Sequence, residues 1–439
     1  MSNELSGIDL WENKNILKVR GDRVPKIIEE CNPDKLRTEI EPWLTALFQS
    51  EHLSLLLGAG ISSATHLLST GNIGAGMSII DFSVFKEQIE KNSKESAKLT
   101  GRVTANIEDQ IRVTNELIKG IEILTSIEDE NFKIIKENIN VLEKELRIGI
   151  NTFANQILEC ERNIITSRNF EASEYLMNFL MSFASRTATR ERLNIFTINY
   201  DRIIEFGAEL AGIRLIDRFV GSISPIFRSS RLEVDMHYNP PGIRGEPRYL
   251  EGVVFYTKLH GSLDWIYENG YVRRISLPYG ANDVKPYLGD SRVMMIYPNA
   301  SKDRETSEYP YVELFRDFAA AVCYPNSTMV LYGYSFGDEH INRIIEDMLT
   351  IPSTHLVIIS FDDASGRVKE FYEKLKRPAQ ITLLIGNHFG DLKILVDNYL
   401  PKPAIDKATF RMIELLKARG WDTVSKENKN ISETGENGL

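Results

Sequence analysis

Apolar positions fall into two textures along this chain. Residues 53–57 form a short apolar run, L-S-L-L-L, followed at 58–63 by G-A-G-I-S-S. A run that brief and that continuous predicts a strand buried on both faces. The texture returns at 193–199, 253–259, 328–332, 356–359 and 381–384. The other texture is helical spacing. Leu36, Ile40, Trp43, Leu44 and Leu47 predict a helix over 34–48, with Asn32, Pro33 and Asp34 as its start signal. From about 83 to 189, glycine and proline become rare and charge dense. There Ile107, Ile111, Ile118 and Ile121, then Phe132, Ile135, Ile139, Leu142 and Leu146, predict a pair of long amphipathic helices with a break near 126–130. Tyr175, Phe179, Leu180 and Phe183 mark a further helical run, and 339–349 another. Residues 266–310 read as short strands and loops, with a lid as one reading.

Strands alternating with helices predict the α/β class: a Rossmann-like, doubly wound, mostly parallel sheet with a large helical insertion. The division expected is an N-terminal helical segment at 1–50 and a Rossmann-like domain at 51–82 and 190–400. The helical insertion takes 83–189, a C-terminal helix 401–421, and a polar, disordered tail 422–439. A single apolar stripe on the insertion helices is enough to pack them on the parent domain. The length of the insertion goes beyond a connector, so a homo-oligomer with contacts through it is also expected.

Composition narrows the classes. A chain of 439 residues with 42% apolar residues can bury a sizeable core and is long for one domain. A net charge of −10 argues against a surface built for general nucleic-acid binding. Cys31, Cys160 and Cys323 are the only cysteines, too few for a four-cysteine zinc site and too scattered for a disulfide framework. No run reaches the roughly 18 apolar residues of a membrane span. The polar start of the chain is unlike a signal peptide, so a cytoplasmic location is expected.

The chemistry-bearing residues cluster after the predicted strands, where open α/β sheets bind ligands. Gly58 and Gly60 would let the backbone turn and approach a ligand, and a helix starting at about Ser62 would turn its free N–H groups toward an anion. An ordinary strand-to-helix turn is the competing reading, since the third glycine of G-x-G-x-x-G is missing. The glycines at 71–76 read as a loop near the ligand or as a connector. Asn199 and Asp201 follow the next strand, Asp201 also reading as a helix cap. His260 follows a third strand beside Gly261 and Ser262, and Gly333 to Asp338 follow a fourth.

Together G-A-G-I-S at 58–62, T-I-N-Y-D at 197–201 and H-G at 260–261 resemble the phosphate loop, T-x-N-x-D segment and catalytic H-G of the sirtuin superfamily. G-Y-S-F-G-D-E-H-I-N at 333–342 resembles a hallmark of its bacterial sirtuin-like branch. The resemblance implies Asn199 and His260 as catalytic residues, with His260 acting on a ribose hydroxyl. It implies Gly58, Ala59, Gly60 and Ser62 around a pyrophosphate, and Gly333 and Ser335 near the adenosine ribose. Asp201 joins the binding set, and Asp81, from I-D-F at 80–82, is placed toward nicotinamide. Deacylase sirtuins carry a four-cysteine zinc module, which this chain lacks, so no metal is expected. A helical insertion in that place is similar to anti-phage sirtuin-like effectors that cleave NAD. The implied activity is an NAD+ glycohydrolase with NAD as substrate, a triggered effector of abortive infection that depletes NAD. A HerA-type ATPase is the implied partner. The alternatives are an NAD-dependent protein deacylase, a non-catalytic nucleotide-sensing assembly subunit, which the presence of both Asn199 and His260 disfavours, and a nuclease, for which no carboxylate cluster is evident.

Overall fold

The computed structural model describes residues 11–402 apart from 73, 75–78, 100–103, 126–132, 168–169, 187–189, 231–233, 239–247, 289–292 and 297–308. The expected helix at 401–421 and the tail at 422–439 lie almost wholly outside the described residues, as does the break at 126–130.

The main sheet has nine strands. They are β1 (Asn15–Lys18), β2 (Lys26–Ile28), β3 (His52–Leu57), β4 (Asn194–Thr197), β5 (Arg214–Ile216), β10 (Val253–Lys258), β14 (Ser327–Tyr332), β15 (His355–Ser360) and β16 (Ile381–Ile385). A second, antiparallel sheet holds β6 (Phe219–Val220), β7 (Ile226–Phe227), β11 (Gly261–Glu268), β12 (Tyr271–Arg274) and β13 (Val293–Ile296). A ribbon pairs β8 (His237–Tyr238) with β9 (Arg248–Tyr249). Where it is described, the 266–310 region holds the end of β11, then β12 and β13, with loop and the short helix Lys285–Leu288 between them.

Across the main sheet the order is β2-β1-β16-β15-β14-β3-β4-β10-β5. From β16 to β5 every neighbouring pair is parallel. This explains the continuous apolar runs: β14 is buried at every position, and a strand covered on both faces has no solvent side to alternate with. The chain winds outward from β3 through β4 to β10, then returns to β14 and winds the other way. The reversal lies between β3 and β14, and such a switch point opens a crevice at the carboxyl edge.

The N-terminal segment is only partly helical. The helix Pro33–Phe48 forms as expected, capped by Asn32 Oδ1 accepting the Lys35 N–H at 3.2 Å, and buries Leu36, Ile40, Leu44 and Phe48. Ahead of it, β1 pairs antiparallel with β16, and β2 with β1. A four-residue strand with two buried apolar residues, Ile16 and Leu17, is too short to announce itself by pattern.

The helices Lys86–Leu99, Ile107–Thr125 and Lys133–Thr166 build an apolar cluster of their own, which includes Ile89, Ile111, Leu142, Leu146 and Phe153. That cluster also takes in Tyr200, Leu263 and Ile266 from the sheets. The helix Glu171–Ala184 belongs elsewhere. Its Leu176, Phe179, Leu180 and Phe183 pack beneath the parallel sheet, with the Phe179 and Tyr332 rings 5.0 Å apart. Although it falls within 83–189, it serves as a layer of the doubly wound fold. Among the described residues no helix is long and apolar enough to cross a membrane.

Candidate functional site

Four neighbouring strands end level with one another. Tyr332 is in register with Leu57, Leu57 with Thr197, and Thr197 with Lys258. The chain leaves the sheet at one height in all four places. That register brings Gly333, Gly58, Asn199 and His260, each one or two residues past a strand end, to the same edge.

The two glycine turns at the switch point are welded together. The Gly58 N–H donates to Tyr332 O at 3.0 Å and the Gly60 N–H to Gly333 O at 3.1 Å. A Cβ on Gly58 would stand 2.3 Å from Gly333 O. Gly333 has φ +61°, a conformation that suits glycine. The glycines are thus required by backbone packing on backbone. The helix expected near Ser62 begins earlier, at Ala59, with Gly58 as its cap. The Ile61 N–H reaches back to Gly58 O at 3.3 Å.

The T-I-N-Y-D segment is bonded to the G-A-G-I-S segment. Asn199 Nδ2 donates to Gly58 O at 2.9 Å and to Ser62 Oγ at 3.0 Å. Ser62 Oγ donates onward to Asp201 Oδ2 at 2.7 Å, and Asp201 Oδ1 accepts the Ile203 N–H at 3.1 Å. Thr197 Oγ1 bonds Leu57 O at 2.9 Å and receives the Asn199 N–H at 3.0 Å. Both protons of the Asn199 amide are therefore committed to protein oxygens. Its carbonyl Oδ1 has no donor among the described residues, and the residue is 6% exposed. Asn199 presents a fixed, uncharged acceptor. Asp201 thus takes the first N–H of the helix Ile203–Leu210 and braces Ser62.

His260 stands where the chain passes from β10 into β11 and changes sheets. Gly261, at φ +89°, makes that corner possible, which gives the H-G pair its physical reason. His260 Nε2 lies 2.9 Å from Asp338 Oδ2. The rings of Tyr200 and Phe315 flank the imidazole at 6.4 and 6.5 Å. Asp338 is 3% exposed and is the residue that sequence reasoning missed. It closes a motif already singled out and precedes a helix, so its capping role was legible. Its bond to a histidine 78 residues away was not.

Residues 193–384 match the family model of the SIR2-like domain. The match supports a member of the sirtuin-like superfamily and fits NAD-related chemistry. It takes in Asn199, Asp201, His260, Gly333, Ser335 and Asp338, while the glycine turn at 58–60 precedes it. No curated protein matches the chain.

On the other side of the glycine seam from Asn199 lies a cavity of about 330 Å³. Gly60, Gly333, Ser335, Phe361, Asp362 and Leu392 help to line it. Ser335 is held there through its carbonyl, which accepts Arg367 Nε at 2.7 Å. An apolar cleft with a few polar edges at a switch point has the character of a nucleotide site. Asp81 lies against the insertion. Its carboxylate, 84% exposed, pairs with Lys86 at 2.7 Å, and it lines a separate cavity with Ile107, Glu145 and Phe153 of the insertion. The I-D-F stretch packs on the helical insertion, where Ile80 fills the space over Gly149.

Proposed function

We propose that this chain is an NAD+ glycohydrolase that cleaves the bond between nicotinamide and ribose. The observation that carries the reading is Asn199: its amide protons are locked onto Gly58 O and Ser62 Oγ, which leaves Oδ1 as a preset acceptor at the sheet edge that also carries His260. Such an acceptor can orient a water or a ribose hydroxyl without changing its own protonation.

The chemistry proceeds as follows. The bond from ribose C1′ to the nicotinamide nitrogen breaks with its electron pair staying on that nitrogen, and nicotinamide leaves neutral. Water oxygen bonds to C1′, giving ADP-ribose. The proton that water loses passes by way of a ribose hydroxyl to the His260 imidazole and then to solvent. The pyrophosphate sits over the Ala59–Gly60 turn, where the N-terminus of the helix Ala59–Thr70 faces it, and Ser62 holds Asn199 in place. The adenosine half occupies the cavity lined by Gly333 and Ser335.

The wider reading is a triggered anti-phage effector that depletes NAD, working as a homo-oligomer with a HerA-type ATPase. Its support is the resemblance of the motifs and of the helical insertion to such effectors. Three cysteines cannot build the zinc module of the deacylases, and deacylation is not part of the proposal. Incubating the purified full chain with NAD+, alone and with a HerA-type ATPase, and following nicotinamide release tests the reading. Release is expected in at least one arm, and its absence from both would overturn the proposal.

A further inference from the structure

We propose that Asp338 is a positioning residue that sets which imidazole nitrogen of His260 serves as the base. This rests on the NAD+ glycohydrolase reading and deepens it. The two oxygens of this one buried carboxylate have separate tasks. Oδ1 accepts the His340 N–H at 2.9 Å and the Ile341 N–H at 3.4 Å, which caps the helix Glu339–Met348. Oδ2 faces His260 Nε2 at 2.9 Å. The helix terminus orients the carboxylate and favours its negative charge. The imidazole is in turn oriented by the carboxylate.

A carboxylate can only accept, so Nε2 must carry the proton and Nδ1 must hold the lone pair. Nδ1 is then the atom that takes a proton from the substrate hydroxyl. The imidazolium so formed is stabilised at once by Asp338, between the rings of Tyr200 and Phe315. The proton later leaves from Nδ1 to solvent, which restores the starting tautomer. The strand-end motif at 333–338 thus serves the histidine on one side as well as the glycine seam on the other.

Asp338→Asn separates the two tasks. Asparagine caps helices as well as aspartate does and keeps the Oδ1 acceptor. It replaces the acceptor facing His260 by an NH₂ donor, so Nε2 must accept and the proton moves to Nδ1. Wrong-tautomer substitutions of this kind typically cost about 10²- to 10⁴-fold in turnover. The expected result is a kcat loss of that order, with KM for NAD+ and the melting temperature little changed. Nitrogen NMR of the full chain labelled with ¹⁵N-histidine, with the His260 signal assigned from a His260→Gln spectrum, reads the tautomer directly and needs no substrate. It should show Nε2–H in the wild type and Nδ1–H in Asp338→Asn. Asp338→Ser, whose shorter side chain caps but cannot reach His260, should lose kcat similarly. A kcat within threefold of wild type in both variants, or the same His260 tautomer in wild type and Asp338→Asn, would overturn the inference. A wild type that releases no nicotinamide would instead count against the glycohydrolase reading, and the NMR comparison would still decide the role of Asp338.

Discussion

Gly60 and Gly333 face each other so closely that a Cβ added to either would stand 2.5 Å from the other's Cα. No side chain can be admitted there without parting the two turns. Gly60→Ala is expected to destabilise the protein by about 1–3 kcal/mol, the usual range for overpacking. Gly333→Ala adds the strain of its φ of +61° and should cost more. Urea unfolding measures both, and a Gly60→Ala midpoint equal to wild type would show that the seam has slack. Gly58→Val strikes Gly333 O, so lost NAD+ binding in that variant reports a broken seam before it reports a lost phosphate contact.

Asn199→Ala and His260→Ala are each expected to lower nicotinamide release by about 10²- to 10⁴-fold with the circular dichroism spectrum unchanged. Both residues lie past strand ends, outside the apolar clusters, which is why the fold should survive. Near-wild-type turnover in either folded variant would remove that residue from the mechanism.

Glu161 and Arg202 form an ion pair of 2.6 Å with side-chain exposures of 0% and 9%. Glu161 Oε1 also takes the Arg202 backbone N–H at 2.9 Å, and Oε2 the Gly280 N–H at 3.0 Å. Glu161→Ala strands the buried guanidinium and those two donors, and should cost about 3–5 kcal/mol. Replacing both partners by apolar residues of similar volume should recover much of that loss. Chemical denaturation of the single and double variants provides the comparison.

His355 gives a pH signature unrelated to catalysis. Burial, then the nearby charge of Lys18, lowers its pKa from 6.5 to about 4. Trp43 Nε1 donates to Thr382 Oγ1 at 2.9 Å, and that hydroxyl lies 2.8 Å from His355 Nε2, an arrangement that suits the neutral ring. The unfolded chain binds this proton near pH 6.5 and the folded chain only near pH 4. Stability is therefore fully present above pH 6.5 and falls as the pH drops through that window, by up to about 1.4 kcal/mol per pH unit. His355→Gln should flatten the melting-temperature curve between pH 6.5 and 4. Parallel curves for the two proteins would refute the assignment.

The homo-oligomer has its own test. Ile123 and Ile148 on the insertion helices are 71% and 54% exposed, apolar surface that a second copy could cover. Light scattering on the full chain should give a mass well above 50.0 kDa. A monomer at micromolar concentration, with and without NAD+, would end the proposal.

The sequence made the parallel strands legible, because burial on both faces writes an unbroken apolar run such as that of β14. It also made Asn199, Ser62 and Asp201 legible, since each follows a strand or opens a helix at a predictable edge. The purpose of Gly58 and Gly60 was less visible. A glycine says that something approaches closely, and here it is Gly333 and Tyr334 that approach. Asp338 could not be tied to His260 by any local rule, because only strand order and register join them. Asp81 rests on the likeness of a short stretch, and the side chain that pairs with it is Lys86 of the insertion.

Tyr200 follows Asn199 directly, yet its ring is packed in the apolar cluster of the insertion, 6.1 Å from that of Phe153, and its hydroxyl reaches Glu108 at 3.3 Å. The insertion therefore packs directly on the strand end that carries Asn199, and under the proposed function a cut at 83 and 189 would not leave the site intact. Excising residues 100–150 would remove Glu108 and much of that packing, expose Tyr200 and release the backbone that carries Asn199. A shortened chain that lost activity would report this collapse, whatever its state of assembly.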